Sequence, residues 1–175
     1  LRLAPLYLAL LAARRFPATR PRCEPPPAAA TGITVVIPER DSPEMLDATL
    51  AALFTALDRV GEPTQVVIVV NGAARERYDA LRARFAAAEF VHSDAPLGFS
   101  GAVTRGLAAA RHDWTYLLNS DMRLAPDALA AQLPWRAPDV FALASQIFQR
   151  GADGRREETG FVDWYVDASG IRAFH

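Results

Sequence analysis

Residues 116–122, Tyr-Leu-Leu-Asn-Ser-Asp-Met, begin as an apolar run and break off into Asn119, Ser120 and Asp121, with a helical pattern starting soon after at Pro126. A short apolar run ahead of a helix reads as a strand buried in a parallel sheet. In open α/β sheets the carboxyl ends of the strands face the ligand crevice, so Asp121 is expected at its mouth. A carboxylate there can hold a divalent cation, and the cation can hold phosphates. Magnesium takes only one or two protein carboxylates and leaves other positions to ligand phosphates. The competing reading makes Asp121 the cap of the following helix, a common station for Asx residues. The motif alone leaves both open.

The elements that must position these residues alternate in type. Residues 32–38 (Gly-Ile-Thr-Val-Val-Ile-Pro) are β-branched and apolar, a first buried strand ended by Pro38. The loop Glu39-Arg40-Asp41-Ser42 comes next, and Ser42 or Asp41 can cap a helix with Pro43 at its first position. Leu46, Leu50, Leu53, Phe54 and Leu57 then recur at helical spacing as a core-facing stripe. Residues 65–70 form a second strand that stops at Asn71-Gly72, and a helix is expected from there to about Ala88. Residues 90–92 are a short third strand with His92 as an edge residue. The turn 96–101 carries Gly98 and Gly101 and leads into a helix over 102–111. Residues 114–118 read as the central strand, 126–133 as a further helix and 140–144 as a further strand. From Arg155 the pattern changes: residues 161–166, the turn 167–170 and residues 171–174 read as an antiparallel hairpin. The fold expected is α/β, a mostly parallel sheet flanked by helices with a C-terminal antiparallel hairpin. Residues 34–37, 66–70 and 116–118 should lie side by side in that sheet.

Three loops therefore gather at one edge, those at Glu39 to Asp41, at Asn71-Gly72 and at Asn119 to Asp121, because all leave strand carboxyl ends. Polar side chains from several strand ends around one crevice define the default site. Gly98 and Gly101 match neither the dinucleotide fingerprint, which belongs after the first strand, nor a P-loop, which needs Gly-Lys-Ser/Thr. They serve either as a helix-entry turn or as a point of close backbone approach to a ligand.

Bulk properties narrow the classes. With 175 residues, 51% of them hydrophobic and 22% charged, the chain is that of a soluble globular domain with a sizeable core. A net charge of −1, with arginines scattered among acids, gives no basis for nucleic-acid binding. The single cysteine, Cys23, excludes an internal disulfide and fits a reducing compartment. His92, His112 and His175 lack metal-ligand spacing. Residues 1–13 are nearly all apolar and Arg14, Arg15, Arg20 and Arg22 come after them, but a bilayer needs about 20 apolar residues. A short packing helix is the simpler expectation. With more residues upstream the segment would be the end of a membrane helix, its arginines placing the rest of the chain in the cytoplasm. Residues 17–30 are Pro- and Ala-rich, a stiff linker, so the division expected is an N-terminal segment over 1–31 and a domain over 32–175. Leu1 is not Met, and His175 falls within a strand-like pattern, so a fragment open at both ends is expected.

Taken in order, Thr-Val-Val-Ile-Pro (34–38), Val-Ile-Val-Val-Asn-Gly (67–72), Leu-Gly-Phe-Ser-Gly-Ala (97–102), Arg-Gly-Leu (105–107) and Leu-Leu-Asn-Ser-Asp (117–121) resemble the family 2 glycosyltransferases, with most similarity to their rhamnosyltransferase-like branch. The resemblance covers about residues 33 to 145. It implies a GT-A (Rossmann-like) fold, a UDP-, dTDP- or GDP-linked sugar donor, Mg2+ or Mn2+, inversion at the sugar carbon, and a glycan or lipid-linked acceptor, as in cell-wall or polysaccharide biosynthesis. It places Pro38, Glu39 and Asp41 against base and ribose, Asn71 where the family has a base-contacting Asp, and Arg105 near the diphosphate, with Gly98 and Ser120 in the same donor-binding set. Asn119 and Asp121 fall on the ends of the Asp-x-Asp motif, Asp121 on its metal-binding member.

The departures carry weight. Asn119 removes a negative charge from the metal site, Asn71 can bond a base only as a neutral group, and Glu39-Arg40 replaces a small or aromatic pair. The family's general base lies past the metal motif, and here it is expected beyond His175. Glu157 and Glu158 read as solvated residues ahead of the hairpin. The resemblance thus implies the donor-binding half of a metal-assisted inverting glycosyltransferase, and the location expected is the cytoplasm or the cytoplasmic face of a membrane. The alternatives are a nucleotide-sugar-binding module without turnover and, further off, a sugar-phosphate nucleotidyltransferase, which should carry a Gly-rich basic loop after its first strand.

Overall fold

The β-branched run 33–37 forms the middle of β1 (Ala30–Glu39), the strand beside which the others are laid down. The computed structural model describes residues 30–137 and 139–150 and the strand segments 156–159, 163–167 and 170–174. After β1 come α1 (Pro43–Leu57), β2 (Thr64–Asn71), a 3-10 helix (Arg75–Tyr78) running into α2 (Asp79–Arg84), β3 (Ala88–Ser93), α3 (Gly98–Ala108) and β4 (His112–Leu117). These four strands make one sheet in the order β3-β2-β1-β4, and every neighbouring pair is parallel. Val35 lies opposite Val66 on one side and Tyr116 on the other, so the three runs expected to be neighbours are neighbours. Past them, β5 (Ile147–Arg150) pairs antiparallel with β6 (Arg156–Thr159), and β7 (Asp163–Asp167) with β8 (Gly170–Phe174).

Both faces of the sheet are covered, which is why β1 and β2 read as unbroken apolar runs rather than alternating ones. Ile33, Val35 and Ile37 of β1, with Val66, Ile68 and Val70 of β2, pack on Leu46, Leu50, Leu53 and Leu57 of α1. The residues between them, Val36, Val67 and Val69, pack on Ala102 of α3. This is the two-residue period of a strand with both sides buried. Phe54 of α1 stacks on Phe85, ring centres 5.5 Å apart, and closes α2 over the same layer. At the amino edge of the sheet a polar knot replaces apolar contact. The Thr34 hydroxyl donates to Gln65 Oε1, which also accepts the Arg111 amide, while Gln65 Nε2 donates to the Ala109 carbonyl. Buried Gln65 thereby ties the end of α3 and the start of β4 to the two central strands.

Four expectations need correction. Residues 114–118 do not form a central strand: β4 spans His112–Leu117 and lies at the sheet edge among the described residues. Its side chains alternate between partly buried and exposed, with Leu117 on the open face. The helix expected over 126–133 is a set of turns followed by a 3-10 helix, Ala130–Trp135. Pro134 lies inside it, and a proline lacks the amide an α-helix needs and clashes with the carbonyl four residues earlier. Residues 140–144 carry no ladder, and Phe141 is fully exposed; an apolar run becomes a strand only where a backbone partner stands beside it. The helix expected from residue 72 to 88 shrinks to the 3-10 helix and the short α2. The apolar segment 1–13, Cys23 and the Pro-rich linker up to residue 29 lie outside the described residues, as does His175.

Candidate functional site

At the carboxyl edge β1 delivers Pro38 and Glu39 level with Val69 and Val70 of β2, one residue short of Asn71. Glu39 does not reach into solvent. It is 1% exposed, and its Oε1 accepts the Ser42 amide at 2.6 Å and the Tyr78 hydroxyl at 3.0 Å, while Oε2 has no partner among the described residues. Ser42 holds the N-cap position of α1, but its side chain makes no capping bond; the Glu39 carboxylate engages its amide from below. The Tyr78 oxygen also accepts the Asp41 amide at 3.0 Å. Asp41 adopts φ 60°, a left-handed conformation that Asp tolerates better than most residues, and its carboxylate is ion-paired with Arg77. A strained turn is thus held shut from beneath by a buried tyrosine.

Burial, and then the charge of adjacent Glu39, push the Tyr78 phenol well above its ordinary value near 10. The raised value means that the fold prefers the neutral phenol. Its stabilising contribution is therefore complete below about pH 10 and is lost as the pH rises beyond that. Tyr78→Phe should cost about 1–3 kcal/mol at neutral pH, because the Asp41 amide and the Glu39 carboxylate each lose a buried partner. Urea denaturation of both proteins at neutral and alkaline pH checks both points: the gap between them should narrow above about pH 10.

Asn71 has a structural role. Its Oδ1 accepts the Leu97 amide at 2.7 Å and its Nδ2 donates to the Gly98 carbonyl at 3.3 Å, so both ends of the amide clamp the entry to α3. Gly98 starts that helix at φ 68°, a conformation that favours glycine. On the other side Leu118 donates its amide to the Val36 carbonyl, carrying the chain past β4 into Asn119, Ser120 and Asp121. The Thr49 hydroxyl of α1 donates to the Ser120 carbonyl at 2.7 Å and fixes the turn to the helix beneath. Asn119 and Asp121 are exposed. The Asp121 carboxylate makes no hydrogen bond or ion pair among the described residues, and residues 122–125 are not helical, so it caps nothing.

The structure therefore brings Pro38, Glu39, Asp41, Asn71, Gly98, Ser120 and Asp121 to one edge, as topology requires. It does not bring Arg105 there by backbone position. Arg105 lies in the last turn of α3, seven residues beyond Gly98, which is about 10 Å of helix rise. Its side chain is exposed and without a partner among the described residues, and helical side chains lean toward the N-terminus, here toward the site. Tyr78, Arg77 and Thr49 are site residues that the sequence does not single out. Nothing local marks them, since each acts on a residue more than thirty positions away.

Among the described residues no group of three or more His, Cys, Asp or Glu could hold a metal ion. A single exposed carboxylate such as that of Asp121 would suit a magnesium- or manganese-type cation only where phosphate and water supply its remaining oxygens. No helix among the described residues is long and apolar enough to cross a membrane.

Residues 34–160 match the family described as Glycosyl transferase family 2, and the chain belongs to that family. Two solved structures share its fold: the crystal structure of S. aureus TarS and that of S. aureus TarS 1-349, each with a TM-score of 0.51 and 14% identity over 60% of this chain. The sheet and its flanking helices are of the GT-A type. The chain spans 19% of the first of those proteins and 32% of the second. No curated protein matches it.

Proposed function

We propose that this chain binds the donor of a metal-assisted inverting glycosyltransferase, a nucleoside-diphosphate sugar whose sugar passes to a hydroxyl of a glycan or lipid-linked acceptor. The observation that carries the reading is Asp121: an exposed carboxylate at the carboxyl edge of a parallel sheet, pinned by Thr49 through Ser120 and bonded to nothing among the described residues. A cation bound there would offset the charge that builds on a departing nucleoside diphosphate. Asn119 adds a neutral oxygen beside it, and Arg105 leans from α3 as a second positive charge. The latched turn of Glu39 and Asp41 and the clamped Gly98 turn are held by internal hydrogen bonds, which lowers the ordering cost of binding between them. We place the reaction on the cytoplasmic side, where a lone cysteine stays reduced.

Two other carboxylates of the named site are committed, Glu39 to Tyr78 and Ser42 and Asp41 to Arg77. The described site residues thus bind a donor without supplying the base that deprotonates an acceptor. The 175-residue chain should bind a nucleoside diphosphate in the presence of manganese, lose it to chelator, and transfer no sugar. Calorimetric titration of UDP, dTDP and GDP, followed by a transfer assay, checks this. Absence of manganese-dependent binding would overturn the donor reading. Robust transfer would place the base within the chain, at Glu157, Glu158 or Asp163.

A further inference from the structure

We propose that Thr49, in the second turn of α1, is a positioning residue for the cation site: its hydroxyl sets the orientation of the turn that carries Asp121. The proposal rests on the donor-binding reading above and adds to it a residue too deeply buried to touch donor or cation. Thr49 lies among Leu46, Leu50 and Leu53 in the stripe that α1 turns to the sheet, and all four are fully buried. A hydroxyl among aliphatic side chains costs stability unless it is bonded, and Thr is a poorer helix former than Ala or Leu. Packing alone gives no reason for it.

The direction of its hydrogen bond does. A helical Thr can donate to the carbonyl four residues back. Thr55 of α1 and Thr104 of α3 do so, at 3.0 and 2.9 Å, and both are exposed. Thr49 has the same kind of acceptor in Met45, at 3.1 Å, but the Ser120 carbonyl stands nearer, at 2.7 Å, and a hydroxyl has one proton to donate. Little else holds the turn. Before it, the Leu118 amide donates to the Val36 carbonyl at 3.0 Å; within it, the Met122 amide reaches the Asn119 carbonyl only at 3.4 Å. Among the described residues no other side chain bonds the backbone of 119–121. Without the hydroxyl the Ser120 carbonyl would face an apolar group and rotate toward water, because an acceptor left unpaired is costly. That carbonyl shares a peptide plane with the Asp121 amide, so its rotation would swing the Asp121 carboxylate away from the place where it shares a cation with a diphosphate.

Thr49→Val keeps the shape of the side chain and removes the bond. Calorimetric titration of the full chain in manganese, with whichever of UDP, dTDP and GDP the wild type binds tightest, measures the effect. Thr49→Val should bind about tenfold more weakly, and Thr49→Ser, which keeps the hydroxyl, should stay within about twofold of wild type. In an Asp121→Ala background Thr49→Val should change nothing further, because the group that Thr49 positions is already gone. A general loosening of the fold would instead weaken binding equally in both backgrounds. If Thr49→Val does not fold, Thr49→Ala takes its place in the same comparison. A hydroxyl-free variant that binds as wild type, one that loses as much affinity beside Asp121→Ala, or a Thr49→Ser protein as weak as Thr49→Val overturns the positioning role and leaves the donor reading standing. Absence of manganese-dependent binding in the wild type overturns the donor reading and the positioning role with it.

Discussion

Asp121→Ala is expected to abolish the manganese dependence of nucleoside-diphosphate binding and to leave the melting temperature where it was. The two halves of that result stem from one fact, the absence of any internal partner for the Asp121 carboxylate among the described residues. A surface side chain that bonds nothing contributes little to folding, so the stability change should stay within about 0.5 kcal/mol. Had the residue capped a helix, the same change would cost about 1 kcal/mol, but residues 122–125 are not helical. In the bound state the account reverses. A cation between this carboxylate and a diphosphate would lose its only charged protein ligand in the described site, and the affinity should fall by a few kcal/mol. Asn119→Ala is the companion variant and should cost less, because a neutral amide carries less of the cation's charge. Calorimetric titrations with manganese and then with chelator measure both. Equal manganese responses in wild type and Asp121→Ala would remove the metal assignment.

The features legible in the sequence are those encoded locally and repeated. The β-branched runs 33–37 and 66–70 announce strands buried on both faces, and the stripe Leu46, Leu50, Leu53 and Leu57 announces the helix that covers one of them. The carboxyl-edge clustering of Glu39, Asn71 and Asp121 comes from strand direction alone, so it too can be read. The edge position of β4 has a local mark as well, although the run 114–118 reads as central. His112, Trp114 and Tyr116 alternate with Asp113 and Thr115, and such alternation belongs to a half-covered strand. The use to which each side chain is put is another matter. Nothing in the neighbourhood of Asn71 says that its amide will hold the turn at Leu97, and nothing near Tyr78 says that its hydroxyl will meet Glu39. Those pairings join segments distant in sequence, and periodicity is silent about them. The site's outline is thus visible in the chain while the division of labour inside it is not.

Gly106→Ala should be a damaging single-methyl change, and it tests how α3 is seated on the sheet. A Cβ built at Gly106 would stand 2.3 Å from Val36 Cγ1 and 3.3 Å from Val69 Cγ2. Neither valine can step aside. Both are fully buried, both belong to central strands, and a β-branched side chain has few alternative rotamers. Alanine ordinarily favours a helix over glycine by about 1 kcal/mol. The steric term must exceed that gain, since forcing extra volume into a packed core costs about 1–3 kcal/mol and the overlap here lies at its severe end. The net expectation is a loss of about 1–2 kcal/mol, and Gly106→Val should cost more. Because α3 begins at Gly98, lifting it would also loosen the turn that Asn71 clamps, so nucleoside-diphosphate affinity should fall alongside stability. The double variant Gly106→Ala with Val36→Ala separates this account from a simple helix effect. Removing the valine methyls opens the space that the new methyl needs, so the pair should cost less than the sum of the two single changes. Urea denaturation of the four proteins measures the coupling. Strict additivity, or a Gly106→Ala protein as stable as wild type, would mean that α3 does not rest on β1 through this residue.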